Sequence, residues 1–218
     1  MTRAVFFDAA GTLFRLSRSV GWHYRDVALR HGADLCEDDL NRAFRAAWEA
    51  AAVPHETNGA RPDDDRGWWR ALVGCVLDEC GGARGLNRDA YFAELWGEFT
   101  RPDVWELFPE TLEVLTALKG RVRLAVVSNF DSRLRTILSH LGISEHFDHI
   151  MISSEIGADK PSPRIFSATL ACVGVSAADA LHVGDEPESD WHGAKRAGLR
   201  AFRLQRPENS LRDVLELL

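Results

Sequence analysis

The stretch AVFFDAAGT, residues 4–12, joins a short apolar run to an acidic residue and a glycine-containing turn. β-Branched and aromatic residues that stop at such a turn are typical of a buried parallel strand. The sequence therefore predicts a strand over residues 3–7, with Asp8 at its carboxyl end. A carboxylate in that place can act as a nucleophile or a metal ligand, with turn amides nearby to bind anionic oxygens. The alternative is that Asp8 only caps the turn.

From about Phe108 onward, the sequence alternates between helical and strand patterns. Apolar runs predict further strands over residues 122–127, 150–152, 180–183 and 201–204. Helical patterns lie between and after them, over residues 111–119, 132–140, 163–172, 191–197 and 211–217. This alternation predicts an α/β fold with a Rossmann-like parallel sheet flanked by helices.

The segment over residues 16–105 has no strand pattern. Its apolar residues recur at helical spacing in four stretches, which breakers rich in glycine and proline separate. We predict an inserted subdomain of four helices here, between core segments 1–15 and 106–218. Six of the seven tryptophans fall in the insertion, and their spacing predicts that they pack inside the helical bundle.

Polar residues follow three of the predicted strands. Asp8, Ser128 and Asp185 each come within two residues of a strand's end. The carboxyl ends of parallel strands lie along one edge of a sheet, where such folds bind their ligands. We therefore predict that these three residues converge on one site.

Two further features of this edge suit an anionic substrate. Ser128 and Asn129 precede a predicted helix, where a hydroxyl and backbone amides can bind phosphate oxygens, although they can also simply cap that helix. Lys160 lies between Asp159 and Pro161, just before another predicted helix. An ammonium beside a carboxylate nucleophile would neutralise and orient it; the alternative is an exposed loop lysine.

Asp185 and Asp190 add two carboxylates to the same edge. Carboxylates that approach Asp8 repel one another unless a cation lies between them, and hard oxygen ligands favour Mg²⁺. The alternative is a helix N-terminus enriched in acidic residues.

Four segments, in this order, resemble the four motifs of the haloacid dehalogenase (HAD) superfamily. The matching residues are Asp8-Ala9-Ala10-Gly11-Thr12-Leu13-Phe14; Val127-Ser128-Asn129; Lys160-Pro161 with Pro163, Ile165 and Phe166; and Gly184-Asp185 with Asp190, Gly193 and Ala194. The resemblance spans nearly the whole chain. The insertion after the first motif is similar to the four-helix cap of one subfamily, subfamily I.

The resemblance implies a catalytic role for several motif residues. Asp8 would attack the substrate and form a covalent aspartyl intermediate, which water then resolves. Lys160 would steady Asp8 and the developing charge. Ser128 and the backbone near Asn129, with Gly11 and Lys160, would hold the transferring phosphoryl group.

The resemblance also implies a metal site. Asp8 and Asp185 would bind Mg²⁺ together with the backbone carbonyl of Ala10. Asp190 would support the ion through water or through Lys160, and Thr12 would orient the loop.

The first motif departs from most phosphatases of the superfamily at one position. Those enzymes carry a second Asp two residues after the nucleophile as general acid and base, whereas this chain has Ala10. General acid–base help is typically worth about 10²–10⁴-fold. A phosphatase with Ala10 would need a good leaving group, such as that of an acyl phosphate, or a proton donor from the insertion. The candidate donors are His23, Asp26, His55 and Glu56.

Three other functions remain open. Dehalogenases of the superfamily have a non-acidic residue at the position of Ala10 and work without metal, but they lack the acidic fourth motif that Asp185 and Asp190 supply. Phosphonate-cleaving relatives have Ala there but need a cap lysine, and all three lysines of this chain lie outside residues 16–105. The third possibility is a binding or regulatory protein that has lost catalysis.

Composition narrows the partners. The formal net charge of −7 argues weakly against nucleic acid or an anionic membrane as the main partner. The resemblance to the superfamily implies a small phosphorylated molecule as the substrate. The sequence shows neither a signal-peptide pattern nor a membrane span, and its four cysteines form no CxxC pair. We therefore expect a cytoplasmic protein with reduced thiols, as a monomer or homodimer.

Overall fold

The computed structural model describes residues 1–81, 83 and 85–218 and divides into two compact units. The first unit consists of Met1–Arg15, His55–Asp64 and Glu106–Leu218, and the second of Leu16–Pro54 and Asp65–Trp105. Within the described residues, every helix is too short or too polar to cross a membrane.

A five-stranded parallel sheet forms the centre of the first unit. In spatial order its strands are β5 (His149–Ile152), β4 (Arg123–Ser128), β1 (Ala4–Phe7), β6 (Ala180–Gly184) and β7 (Arg200–Arg203). The five strands and the α/β class predicted from the sequence are confirmed. A separate two-stranded sheet consists of β2 (Phe14–Leu16) and β3 (Trp105–Leu107). It was not predicted, since strands this short show too little alternation to be recognised.

The central strand β1 determines where the site lies. All four of its residues are fully buried, as expected of a parallel strand covered on both faces. Its last residue, Phe7, pairs with Val126 of β4 and with Val183 of β6. The chain therefore leaves all three strands at one edge of the sheet.

The helices of the first unit flank this sheet. They are α5 (Thr111–Leu118), α6 (Arg133–His140), α7 (Ser153–Ile156), α8 (Pro163–Val173) and α9 (Gly193–Arg196), numbered after four helices of the second unit. The predicted helix over residues 191–197 is instead a π-helical stretch, Pro187–His192, followed by α9. The predicted C-terminal helix is a 3₁₀-helix over Leu211–Leu217.

The described part of the second unit contains four helices, as predicted: α1 (Val20–Arg30), α2 (Glu37–Ala50), α3 (Arg66–Glu79) and α4 (Arg88–Glu98). Their core includes Tyr24 and Tyr91, and the Tyr91 hydroxyl donates to the Tyr24 carbonyl at 3.0 Å. The prediction that the six tryptophans fill this core is wrong: none of them is fully buried, Trp22 is 37% exposed, and Trp48 is 50% exposed. It packs against Trp68 and Trp69 in a partly exposed cluster, since the large indole ring is rarely buried completely.

The first unit also contains a segment from between α2 and α3, His55–Asp64, which we call the strap. The predicted insertion at 16–105 included it. The Thr57 N–H donates to the Gly157 carbonyl at 2.9 Å, and Arg61 forms a buried ion pair with Asp159. The strap therefore packs on the loop that leads to Lys160.

Gly157→Ala is expected to destabilise the protein more than Gly174→Ala. Both glycines follow a helix and have a positive φ, 75° and 72°, so both substitutions carry the left-handed penalty of about 1–2 kcal/mol. Only at position 157 would a Cβ overlap other atoms, the Gly59 carbonyl and the Thr57 hydroxyl. Urea denaturation measures the difference. Equal losses of stability would contradict the packing of the strap against Gly157.

Candidate active site

Asp8 begins a tight turn at the carboxyl end of β1. Its N–H extends the sheet by donating to the Val183 carbonyl at 2.9 Å. The N–H groups of Thr12 and Leu13 then both donate to the Ala9 carbonyl, at 3.2 and 2.7 Å. We call residues 8–13 the nucleophile turn, because its hydrogen bonds fix where the Asp8 side chain leaves the backbone.

Lys160 is buried between two carboxylates and is not the exposed loop lysine of the alternative interpretation. Its Nζ lies 2.6 Å from Asp8 Oδ1 and 2.7 Å from Asp190 Oδ1. Burial favours the neutral amine, but Asp190 and Asp8 together raise the pKa of Lys160 above its ordinary value. The lysine is therefore charged, and the Ser128 hydroxyl donates to the same Asp8 oxygen at 3.1 Å.

Asn129 fixes the backbone of Lys160. Its side-chain Nδ2 donates to the Lys160 carbonyl at 2.8 Å, and its Oδ1 accepts from the Lys160 N–H at 2.6 Å. The amide side chain of Asn129 is thus used within the protein. Contacts from this position to a phosphoryl group would come from the backbone, as the sequence prediction stated.

Asp185 contacts the nucleophile turn from the end of β6. Its Oδ1 accepts a hydrogen bond from Thr12 Oγ1 at 3.0 Å. Gly11 has a φ of 89° and lies so close that a Cβ there would overlap the Asp185 carboxylate. Burial and then the charge of Asp8 raise the pKa of Asp185 to about 6. Asp185 is therefore harder to ionise in the folded protein than an exposed carboxyl group.

Asp190 is the most enclosed of the three carboxylates, and it accepts three hydrogen bonds. Its Oδ1 accepts from Lys160 and from His182 Nε2, the latter at 2.9 Å, and its Oδ2 accepts from the Glu186 N–H at 3.0 Å. Burial alone would raise the pKa of Asp190, but Lys160 and His182 hold it well below its usual range. Asp190 is therefore an anion whose oxygens are largely committed to protein donors.

Together these groups could hold a divalent metal ion. Asp8, Asp185 and Asp190 each offer a carboxylate oxygen, and these oxygens lie within 4.8 Å of one another. With all three ionised and Lys160 protonated, the four side chains carry a net charge of −2. Hard, negatively charged oxygen donors suit Mg²⁺ or a similar cation, so the residues present fit the predicted ion.

The four predicted proton donors lie in both units. In the second unit, His23 is buried with Nδ1 3.3 Å from Glu98 Oε1, and burial lowers its pKa. Asp26 forms an ion pair with an arginine of its own helix. In the first unit, the strap carries exposed His55 and also Glu56, which pairs with an arginine of α8 at 3.4 Å. Three of the four are thus already paired.

His182 and Arg206 also contact the motif residues and were not predicted. His182 is a fully buried polar side chain in the middle of β6, and a histidine within an apolar strand was a signal that could have been used. Arg206 donates to carbonyls of the nucleophile turn. Its position in a polar loop gives no sequence signal.

Comparison with known proteins identifies the family of this chain. A family model of haloacid dehalogenase-like hydrolases matches residues 2–198. Haloacid dehalogenase-like hydrolase domain-containing protein 3 of Bos taurus is 34% identical over 209 residues, which cover 94% of this chain and 83% of that protein. The chain therefore belongs to the haloacid dehalogenase-like hydrolases, and it is a hydrolase.

Two further similarities concern a phosphatase and a dehalogenase. A phosphoserine phosphatase of Thermus thermophilus is 36% identical over 133 residues, which cover 60% of this chain and 52% of that protein. The structure of L-2-haloacid dehalogenase from Xanthobacter autotrophicus matches with a TM-score of 0.74 and 21% identity, covering 99% of this chain and 82% of that one. The structural likeness shows the shared fold alone.

In the metal-free protein, Asp185→Asn is expected to stabilise the fold, and more so at higher pH. The folded-state pKa of about 6, against an ordinary 3.8, means that the folded protein holds this proton more tightly than the unfolded chain. Stability therefore falls as pH rises through the range from about 4 to 6, and the substitution removes that loss. Urea denaturation in EDTA at about pH 4 and about pH 7 measures the effect.

The matched control is Asp34→Asn, which alters a carboxylate that is 70% exposed. It should change stability little at either pH. A stability gain from Asp185→Asn that is the same at both pH values would contradict the raised pKa of Asp185.

Proposed function

We propose that the protein is a Mg²⁺-dependent phosphatase that acts on a small phosphorylated metabolite through an aspartyl-phosphate intermediate at Asp8. The charge of the site carries the proposal: three carboxylates lie within 4.8 Å of one another and share the ammonium of Lys160. A net charge of −2 next to an anionic substrate is unfavourable without a cation. The similarity to a phosphoserine phosphatase supports a phosphorylated substrate.

Asp8 and Asp185 are the carboxylates that would hold the ion, together with the Ala10 carbonyl. Asp190 would act indirectly, because its two oxygens already accept three hydrogen bonds. When bound, Mg²⁺ would neutralise the carboxylates and polarise the phosphoryl oxygens.

The hydrogen bonds of Asp8 indicate which of its oxygens reacts. Lys160 and Ser128 both donate to Oδ1, so we assign Oδ2 as the attacking atom. Oδ2 forms a bond to phosphorus while the bond between phosphorus and the leaving oxygen breaks, and the Lys160 ammonium offsets charge on the phosphoryl group. Water then attacks the phosphorus of the aspartyl phosphate, which releases phosphate and restores Asp8.

Ala10 favours a substrate whose leaving group needs no proton. An acyl phosphate releases a carboxylate, which is stable without a proton near neutral pH. An alkyl phosphate releases an alkoxide, which needs a general acid. We therefore place acyl phosphates and other activated phosphates ahead of alkyl phosphates as substrates. For alkyl phosphates the proton would come from a donor such as His55.

Dehalogenation of 2-haloacids is the second candidate, and Ala10 is the observation that favours it. The charge of the site opposes it. Displacement of a halide by Asp8 needs no metal, so the net charge of −2 would remain beside an anionic haloacid. Phosphonate cleavage stays the least supported candidate, because no lysine lies in residues 16–105.

Phosphate release from a panel of acyl, aryl and alkyl phosphates should require both Mg²⁺ and Asp8. We expect Asp8→Asn to abolish turnover, since the amide is not a nucleophile, and EDTA to abolish it as well. The exposed substitution Asp34→Asn is the control and should leave turnover unchanged. Release of halide from 2-haloacids in EDTA, without phosphate release from any compound, would replace the phosphatase proposal with dehalogenation.

Ala10→Asp is expected to raise kcat on alkyl phosphates by roughly 100-fold, the lower range of general acid catalysis, and to leave acyl phosphates nearly unchanged. Ala10→Asn has the same size without the acid and serves as the matched control. Steady-state kinetics on one alkyl and one acyl phosphate measure both effects. An equal gain in kcat on the two substrates would show that the added carboxyl group does not act by donating a proton to the leaving group.

A further inference from the structure

Arg206, in the loop after β7, binds two successive carbonyls of the nucleophile turn. Its Nη1 donates to the Gly11 carbonyl at 2.9 Å, and its Nη2 donates to the Thr12 carbonyl at 3.0 Å. The planar, forked guanidinium can reach both oxygens at once, whereas a lysine ammonium is a point charge on a flexible stem. None of the four motifs includes this residue.

Arg206 is itself fixed from two sides. Its Nη2 donates to Glu110 Oε1 at 2.7 Å, and its Cζ lies 3.7 Å from the centre of the Phe108 ring. Burial opposes ionisation of Glu110, but the hydrogen bond from Arg206 lowers the pKa of that carboxyl below its ordinary value. The guanidinium therefore has little freedom to follow the turn if the turn moves.

The opposite side of the turn carries the proposed metal site. The Thr12 hydroxyl donates to Asp185, and the Gly11 N–H donates to the Phe14 carbonyl at 2.8 Å. Because a trans peptide is planar, the direction of this N–H also sets the direction of the Ala10 carbonyl, which points the opposite way. Any shift of residues 11 and 12 would therefore displace both the Ala10 carbonyl and the hydroxyl that orients Asp185.

We propose that Arg206 is a positioning residue: by fixing the Gly11 and Thr12 carbonyls it holds the Ala10 carbonyl and Asp185 in the geometry that binds the metal ion. This inference rests on the proposed function. The side chain of Arg206 is 24% exposed, so water can reach the carbonyls when the guanidinium is removed. Removal of the guanidinium should therefore make the nucleophile turn less ordered while the protein still folds.

Arg206→Met and Arg206→Lys test the proposal, with Arg212→Met as the matched control. Arg212 pairs with Glu113 on the exposed face of α5 at 2.7 Å and lies in the same C-terminal part of the chain. Calorimetric titration with Mg²⁺ alone should show affinity about 10-fold weaker in Arg206→Met, the lower end for partners of metal ligands. Arg206→Lys should recover only part of it, and Arg212→Met should match the wild type.

Two further readouts keep the test decisive. Amide hydrogen exchange of Thr12 and Leu13 should accelerate in Arg206→Met whether or not metal binds, and kcat should fall more than KM rises. If Arg206→Met does not fold, Glu110→Gln, which removes the charge that anchors Arg206, should show the same changes in weaker form.

Unchanged exchange in the turn, together with Mg²⁺ affinity and kcat equal to those of Arg212→Met, would overturn the role of Arg206. If the wild type neither binds Mg²⁺ nor releases phosphate, the proposed function fails instead. The amide hydrogen exchange of Thr12 and Leu13 would then still show whether Arg206 fixes the nucleophile turn.

Discussion

The ammonium of Lys160, buried between Asp8 and Asp190, is the interaction on which the rest of the site depends. Each carboxylate would be costly to bury alone, and removing one partner from a buried ion pair typically costs about 3–5 kcal/mol. Asn129 fixes the backbone of Lys160 by binding its N–H and its carbonyl. The loop before it is bound in turn by the strap, through the ion pair of Arg61 with Asp159.

The carboxyl edge of the sheet brings together residues from distant parts of the chain. The parallel register of β1 with β4 and β6 places Asp8, Ser128 and Asp185 in neighbouring positions. Register alone does not orient the carboxylates, since Asp8 and Asp185 lie just beyond the ends of their strands. Orientation comes from hydrogen-bond donors: the Thr12 hydroxyl donates to Asp185, and His182, in the middle of β6, donates to Asp190.

The sequence predicts those parts of the fold and of the site that follow from local sequence patterns. Apolar runs locate the five strands to within one residue of their observed bounds, and the residues that follow those runs include Asp8, Ser128 and Asp185. Contacts between remote segments leave no such pattern. The strap packs on the core through backbone hydrogen bonds of an irregular segment, and Arg206 reaches the turn from 195 residues away. The π-helical stretch that presents Asp190 depends on its bond to the Glu186 N–H, which helical periodicity does not reveal.

The site raises two separate questions: how its charge is balanced, and where the leaving group obtains a proton. A divalent cation would cancel the net charge of −2 on the three carboxylates and Lys160. The site could then accept a phosphoryl group without an uncompensated negative charge of its own. That balance concerns the proposed attack by Asp8, and an acid at position 10 would leave it unchanged only while that acid is protonated. Departure of the leaving group would depend instead on a proton, which alanine at position 10 cannot donate. Under the proposed function, the fold and the four motifs would therefore hold phosphorus and direct its attack, while the choice of substrate would depend on which leaving group can depart unprotonated.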